Sequence, residues 1–166
     1  MEEVFTTYLQ SIKGKEISSI GRIANMMWIG VGKQSITVNV IGRNTLKSQF
    51  YFHIQCPWRL LDEKNYIVLA SQDIYSPSHI VQSWETFDWD KQGNNLFDVK
   101  AEKWFINSMP IYIIAIDLHL GDLTLTLSNG SQLQTFIDSS TNIECWRLVN
   151  REGAHLVVSR NNVQYE

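Results

Sequence analysis

The residues of this chain best equipped for chemistry sit in two similar stretches, "HIQCPWRLLD" at residues 53–62 and "NIECWRLVN" at residues 142–150. Each carries a cysteine, a tryptophan and an arginine in that order. A guanidinium is a planar fork that grips a carboxylate or phosphate through two parallel hydrogen bonds. Arg59 and Arg147 are therefore candidate ligands for an anion or an acidic partner, if the fold brings them together near a common axis. The structural alternative follows from strand geometry, in which neighbours point to opposite faces. Trp146 then enters a core with Leu148. Arg147 shares the other face with Cys145 and Val149, and pairs with a carboxylate on a neighbouring strand. Glu144 falls on the Trp146 face in this reading.

Other chemistry is thin. Cys56 and Cys145 stand in no Cys-x-x-Cys or Cys/His metal spacing and read as two buried free thiols. His53, His79, His119 and His155 are scattered. Asp117 and His119 share one strand face, and with one of the arginines they would make the site of an otherwise unmarked enzyme. There is no GxSxG, phosphate loop or HExxH motif. "GVGKQS" at residues 30–35 contains a Gly-Lys pair without the spacing of a phosphate loop. No catalytic, metal or cofactor residue is assigned, and no cofactor is expected.

A second cluster lies between the two stretches. Trp84, Phe87, Asp88, Trp89 and Asp90 crowd aromatics among acids. A flexible linker is normally Gly/Ser-rich and poor in aromatics. Aromatic side chains give a large contact area for little entropy, so these five are candidate partner-binding residues. The alternative is a segment that packs over an open sheet edge.

Composition narrows the classes. With 166 residues, 44% hydrophobic and 19% charged, the chain reads as one globular domain, residues 1–166. A net charge of -3 and no basic stripe argue against a general nucleic-acid binder. The start "MEEVFTTYLQ" lacks the apolar run of a signal peptide. The longest apolar run, "PIYIIAI", is too short to span a bilayer. The expectation is a cytoplasmic protein without membrane association. Its oligomeric state is not legible.

The two stretches belong to a longer internal match. A shift of about 89 positions sets Ile29 and Val31 on Leu118 and Leu120, and Ile36 and Val38 on Leu125 and Leu127. It also sets Cys56 on Cys145, with Pro57 as an extra residue that suggests a β-bulge. Phe5 falls opposite Phe97. The match gives repeat one as residues 2–72, an intervening segment 73–93, and repeat two as residues 94–160. Each half reads as a short amphipathic helix followed by about five antiparallel strands. In repeat two, Ile114, Ile116, Leu118 and Leu120 face inward, Gly121-Asp122 makes a turn, and Asn129-Gly130 marks a hairpin. The expected fold is α+β, mostly antiparallel β. An internal duplication about a pseudo-twofold axis would give a continuous sheet, a sandwich or a partly open barrel.

"GDLTLTLSNGSQLQTF" followed by "IECWRL", with "HIQCPWRLLD" in the first half, resembles small uncharacterised bacterial proteins with a Glu-x-Trp-Arg pattern. The resemblance spans most of both repeats but not the segment between. It implies no activity and no catalytic residue. By analogy of type it implies immunity proteins, whose partner is a toxin domain. The functional expectation is a non-catalytic protein-binding chain. The alternatives are an anion-binding module built on Arg59 and Arg147, and an uncharacterised enzyme.

Overall fold

The computed structural model describes residues 2–79, 83–160 and 162–165, with side chains from Phe5 onward. Helix α1 (Glu2–Gln10) leads into strands β1 (Ile17–Ile23) and β2 (Met26–Val31). A small hairpin follows, β3 (Ser35–Val38) and β4 (Asn44–Lys47). Then come β5 (Phe50–Ile54), β6 (Trp58–Leu61), β7 (Ile67–Ala70) and a 3-10 turn at Ser71–Tyr75. Helix α2 (Leu96–Ser108) opens the second half. It precedes β8 (Ile113–His119), β9 (Asp122–Leu127), β10 (Gln132–Thr135), β11 (Glu144–Asn150), β12 (His155–Ser159) and β13 (Asn162–Tyr165).

The described residues are mostly antiparallel β with two short helices, and they form no closed barrel. A six-stranded sheet runs β1-β2-β5-β11-β12-β13, and a five-stranded sheet runs β7-β6-β10-β9-β8. The halves of the chain exchange strands: β11 and β12 join the first half's sheet, while β6 and β7 join the second half's. Inner faces of both sheets share one apolar core, including Met27, Ile29, Phe52 and Trp146 from one and Trp58, Leu60, Leu125 and Leu133 from the other. At one corner Ile17 N–H donates to Ile111 O (2.8 Å) and Ile113 N–H to Lys15 O (3.0 Å). At the crossing of the exchanged strands, Gln55 N–H donates to Cys145 O (2.8 Å) and Phe136 N–H to Pro57 O (2.8 Å).

Local chemistry sets the element ends. Asn95 caps α2, its side-chain oxygen accepting Asp98 N–H at 2.9 Å. Past Ser108 comes Met109-Pro110, which cannot extend a helix. The β8–β9 turn is Leu120-Gly121, both with positive φ (52° and 91°), so it lies one residue before the expected Gly121-Asp122. Asn129-Gly130 does close β9 on β10, with Leu127 N–H donating to Ser131 O at 2.9 Å.

Two bulges overturn two phases expected from alternation. A register break between Ile113 and Ala115 turns Ile113 inward, wholly buried, and leaves Ile114 49% exposed. Leu120, also expected inward, sits in the turn and is exposed. A second break, between Glu144 and Trp146, lies at Cys145 rather than at Pro57, which sits between β5 and β6 outside both strands. The bulge buries Cys145 beside Trp146 and moves Glu144 to the Arg147 face. Both thiols are free and buried, and burial pushes that of Cys56 up to about 12.

Ile36 and Val38, matched by sequence to the buried Leu125 and Leu127, are instead exposed on the β3–β4 hairpin. This hairpin is a separate two-stranded sheet. Among the described residues no helix is long and apolar enough to cross a membrane.

Candidate functional site

Polar and aromatic side chains collect on the outer face of the six-stranded sheet, where inward positions of each strand are taken by the core. On β2 the inward residues are Met27, Ile29 and Val31, so Trp28 faces out. On β5 they are Phe50, Phe52 and Ile54, so Tyr51 and His53 face out. Cross-strand pairing then sets Trp28 beside His53 and His53 beside Arg147. Trp28 meets Tyr51 edge to face at 6.0 Å and 74°. The ring of Tyr51 lies 6.3 Å from that of His53.

Arg147 is the hub of the far end of this face. Its guanidinium donates to both oxygens of Glu144 and to His155 Nδ1 at 3.2 Å. Glu144 also accepts from Gln55 Nε2 at 3.3 Å. Burial first, and then the Arg147 charge, lower the pKa of His53 below its ordinary 6.5, against an opposing pull from Glu144. His53 is therefore neutral at pH 7 and offers one donor and one acceptor rather than a charge.

The β3–β4 hairpin arches over the other end. Its register pairs Ser35 with Lys47, Ile36 with Leu46 and Thr37 with Thr45. Ser35, Thr37, Thr45 and Lys47 thus share one face of the hairpin, Asn39, Thr45, Leu46 and Lys47 border the space toward Trp28 and Tyr51, and Thr37 and Thr45 hydroxyls bond each other at 3.2 Å. The opposite face carries Ile36, Val38 and Leu46, exposed at 69%, 68% and 62%, and Val40 and Ile41 at the tip are exposed too. The hairpin base is pinned: Arg151 Nη2 donates to Lys33 O (3.1 Å) and Lys47 O (3.0 Å), and buried Ser48 bonds Ser18 Oγ at 2.7 Å. A groove of about 590 Å3 opens between hairpin and sheet.

The sequence-expected residues are placed as follows. Arg147 is at this face. Arg59 is on the outer face of the other sheet, where Nε donates to Gln134 Oε1 at 2.8 Å and the guanidinium lies 5.0 Å over the Phe136 ring. Trp58 and Leu60 point inward, as Trp146 and Leu148 do, so the two arginines face away from each other across the core. Their partners are Gln134 across a strand pair and Glu144 on the same strand. Asp117 and His119 are exposed along the edge strand β8.

The intervening aromatic cluster divides in two. Trp89 packs against the core and lies 5.2 Å from Tyr75, and its carbonyl accepts from Asn95 Nδ2 at 2.9 Å. Asp90 meets the buried Arg22 at 3.3 Å, beside the Arg22–Asp98 pair at 2.7 Å. Asp88 is local, with Oδ1 accepting Asp90 N–H at 3.1 Å. Trp84 remains 70% exposed, edge to face with Phe87 at 5.8 Å. Residues 80–82 of that segment lie outside the described residues.

Trp28, Tyr51 and His53 were not singled out from sequence, because the pairing of two strands, β2 and β5, assembles them. The available signal was "FYFHI", where Tyr51 and His53 occupy the alternate positions of a strand whose other face is wholly apolar. Among the described residues no group of His, Cys, Asp and Glu is arranged to hold a metal ion. Set against protein-family models, curated proteins and solved structures, the chain matches none of them.

Proposed function

We propose that this chain is a non-catalytic protein-binding protein, and that the outer face of the β3–β4 hairpin is its contact surface. The observation that carries this reading is the inverted hairpin. Ser35, Thr37, Asn39 and Thr45 are half-buried while Ile36, Val38 and Leu46 are exposed to solvent. A contiguous apolar patch on a two-stranded ribbon gains little in isolation and is the usual mark of an association surface. Its Trp-Arg motifs resemble small uncharacterised bacterial proteins, and by analogy of type with immunity proteins the partner class proposed is a toxin domain.

The scaffold behind the hairpin is read as a duplicated half-domain with a pseudo-twofold axis. Setting β1, β2, β5, β6 and β7 on β8, β9, β10, β11 and β12 carries one sheet order onto the other. The same operation relates the two corner hydrogen bonds to each other, and likewise the two at the strand crossing. It matches buried Met27, Ile29 and Val31 to buried Leu123, Leu125 and Leu127, and Trp58 to Trp146. Cys145 then matches Pro57, not Cys56. In the second half the turn at Asn129-Gly130 stands where the first half inserts the hairpin, so the contact surface lies where the symmetry breaks.

The test is capture from a lysate of the source organism with tagged wild type, an Ile36→Ser/Val38→Ser variant and a Trp84→Ala/Phe87→Ala variant. The expected result is one stoichiometric protein held by wild type and by the Trp84/Phe87 variant, and lost by the hairpin variant. Loss only with Trp84→Ala/Phe87→Ala would move the surface to the intervening segment. No enrichment by a folded bait would overturn the protein-binding reading.

A further inference from the structure

We propose that the groove beneath the β3–β4 hairpin binds a small anion carried on a flat aromatic ring, an aryl carboxylate or aryl phosphate. The floor of the groove is a prepared stacking platform. A Cβ on Gly21 would lie 2.4 Å from the Trp28 ring, so the absence of a side chain there is what lets the indole lie down on the sheet. The indole thus lies close against the strand backbone at Gly21, and Trp28 lines the groove. Tyr51 fixes it from the side, edge to face, and is itself fixed because its hydroxyl accepts Ser48 N–H at 2.8 Å. An aromatic ring laid on this platform finds its partner already oriented, which removes much of the ordering cost of binding.

The charge of the groove selects the other end of the ligand. Lys47 and Arg151 line it, and no aspartate or glutamate does, in a chain whose net charge is -3. Lys47 lies on the inner face of the hairpin by its register with Ser35. Arg151 is held close by, since its Nη2 donates to the Lys47 carbonyl. Two cations beside an aromatic floor make a site for a single molecule with a flat apolar body and an anionic tail. The volume, about 590 Å3, is within the rough 300–1,000 Å3 range of small-ligand clefts. Leu46 borders the groove as well as the proposed protein contact, but Ile36 and Val38 do not line the groove, so either reading can fail alone.

The experiment is an NMR titration of the full chain with phenyl phosphate and with benzoate, beside benzyl alcohol and inorganic phosphate. The aryl anions are expected to shift the Trp28, Tyr51 and His53 resonances and to bind roughly tenfold more tightly than either control. Preference for phenyl phosphate would identify a phosphate ligand, and preference for benzoate a carboxylate; both support the site. Lys47→Glu, on the exposed hairpin, should weaken both aryl anions roughly tenfold with an unchanged melting temperature. Trp28→Leu should abolish binding, and if that variant does not fold, Lys47→Glu alone decides. Benzyl alcohol binding as well as benzoate would overturn the anion requirement. Inorganic phosphate binding as well as phenyl phosphate would overturn the aromatic one. Shifts elsewhere, no binding at millimolar ligand, or an unaffected Lys47→Glu would overturn the site.

Discussion

Trp58 and Trp146 occupy corresponding places in the two motifs and differ at one atom. The indole N–H of Trp146 donates to the Gly121 carbonyl at 2.8 Å, whereas that of Trp58 is buried with no hydrogen-bond partner among the described residues. A buried hydrogen bond contributes about 1 kcal/mol net, while an unpartnered buried donor is a cost that substitution removes. Trp146→Phe should therefore destabilise the protein by about 1–2 kcal/mol more than Trp58→Phe, measured by urea unfolding. Equal losses would show that the Gly121 bond contributes nothing. That both tryptophans are core anchors was legible in the alternation around them, and both are buried. The phase of Glu144 was not. A bulge inserts one residue without altering composition, so the alternation rule carried Glu144 to the wrong face and hid its pairing with Arg147. The same blindness misplaced Ile114.

At the level of elements, the hairpin shows what alternation cannot say. Ile36-Thr37-Val38 alternates like a core strand, but a period of two does not say which face meets a core. Here the polar face is the covered one. Within residues 33–48 the only buried side chain is Ser48, so the segment contributes nothing to the apolar core. Across its base Val31 already pairs with Phe50, as Leu127 closes on Ser131 around the Asn129-Gly130 turn. Replacing residues 32–49 by Ser-Asn-Gly should thus leave a cooperatively folding protein. Calorimetry should show a melting temperature within about 5 °C of wild type, since about 1 kcal/mol corresponds to a few degrees at this size. A molten or unfolded product would mean that the ties of Ser48 and Arg151 hold the six-stranded sheet together. The intervening segment divides in the same way, with Trp89 and Asp90 packing and pairing inward and Trp84 left outside, a division that composition alone does not give.

For the whole molecule, the match between the two stretches of sequence is silent on which half of the chain a strand pairs with. The exchange therefore had to come from the structure. Its consequence is energetic. Strand β5 has β11 as its neighbour and β6 has β10, so each half alone would expose two unpaired edges and the apolar faces behind them. The buried Arg22–Asp98 pair adds a second cross-half tie, and losing one partner of such a pair costs about 3–5 kcal/mol. A half of some 80 residues is already near the lower limit for a stable core, as small domains bury a smaller fraction of their surface. Fragments of residues 1–82 and 83–166 should each be unfolded alone by circular dichroism. Mixed in equal amounts, they should recover the native spectrum in a concentration-dependent way, because the interface they rebuild is the core itself. A fragment that folds alone with native-like chemical shifts would show that the exchanged strands are peripheral and that the halves are independent units. Recovery on mixing would show that the exchange is what makes this chain one cooperative domain.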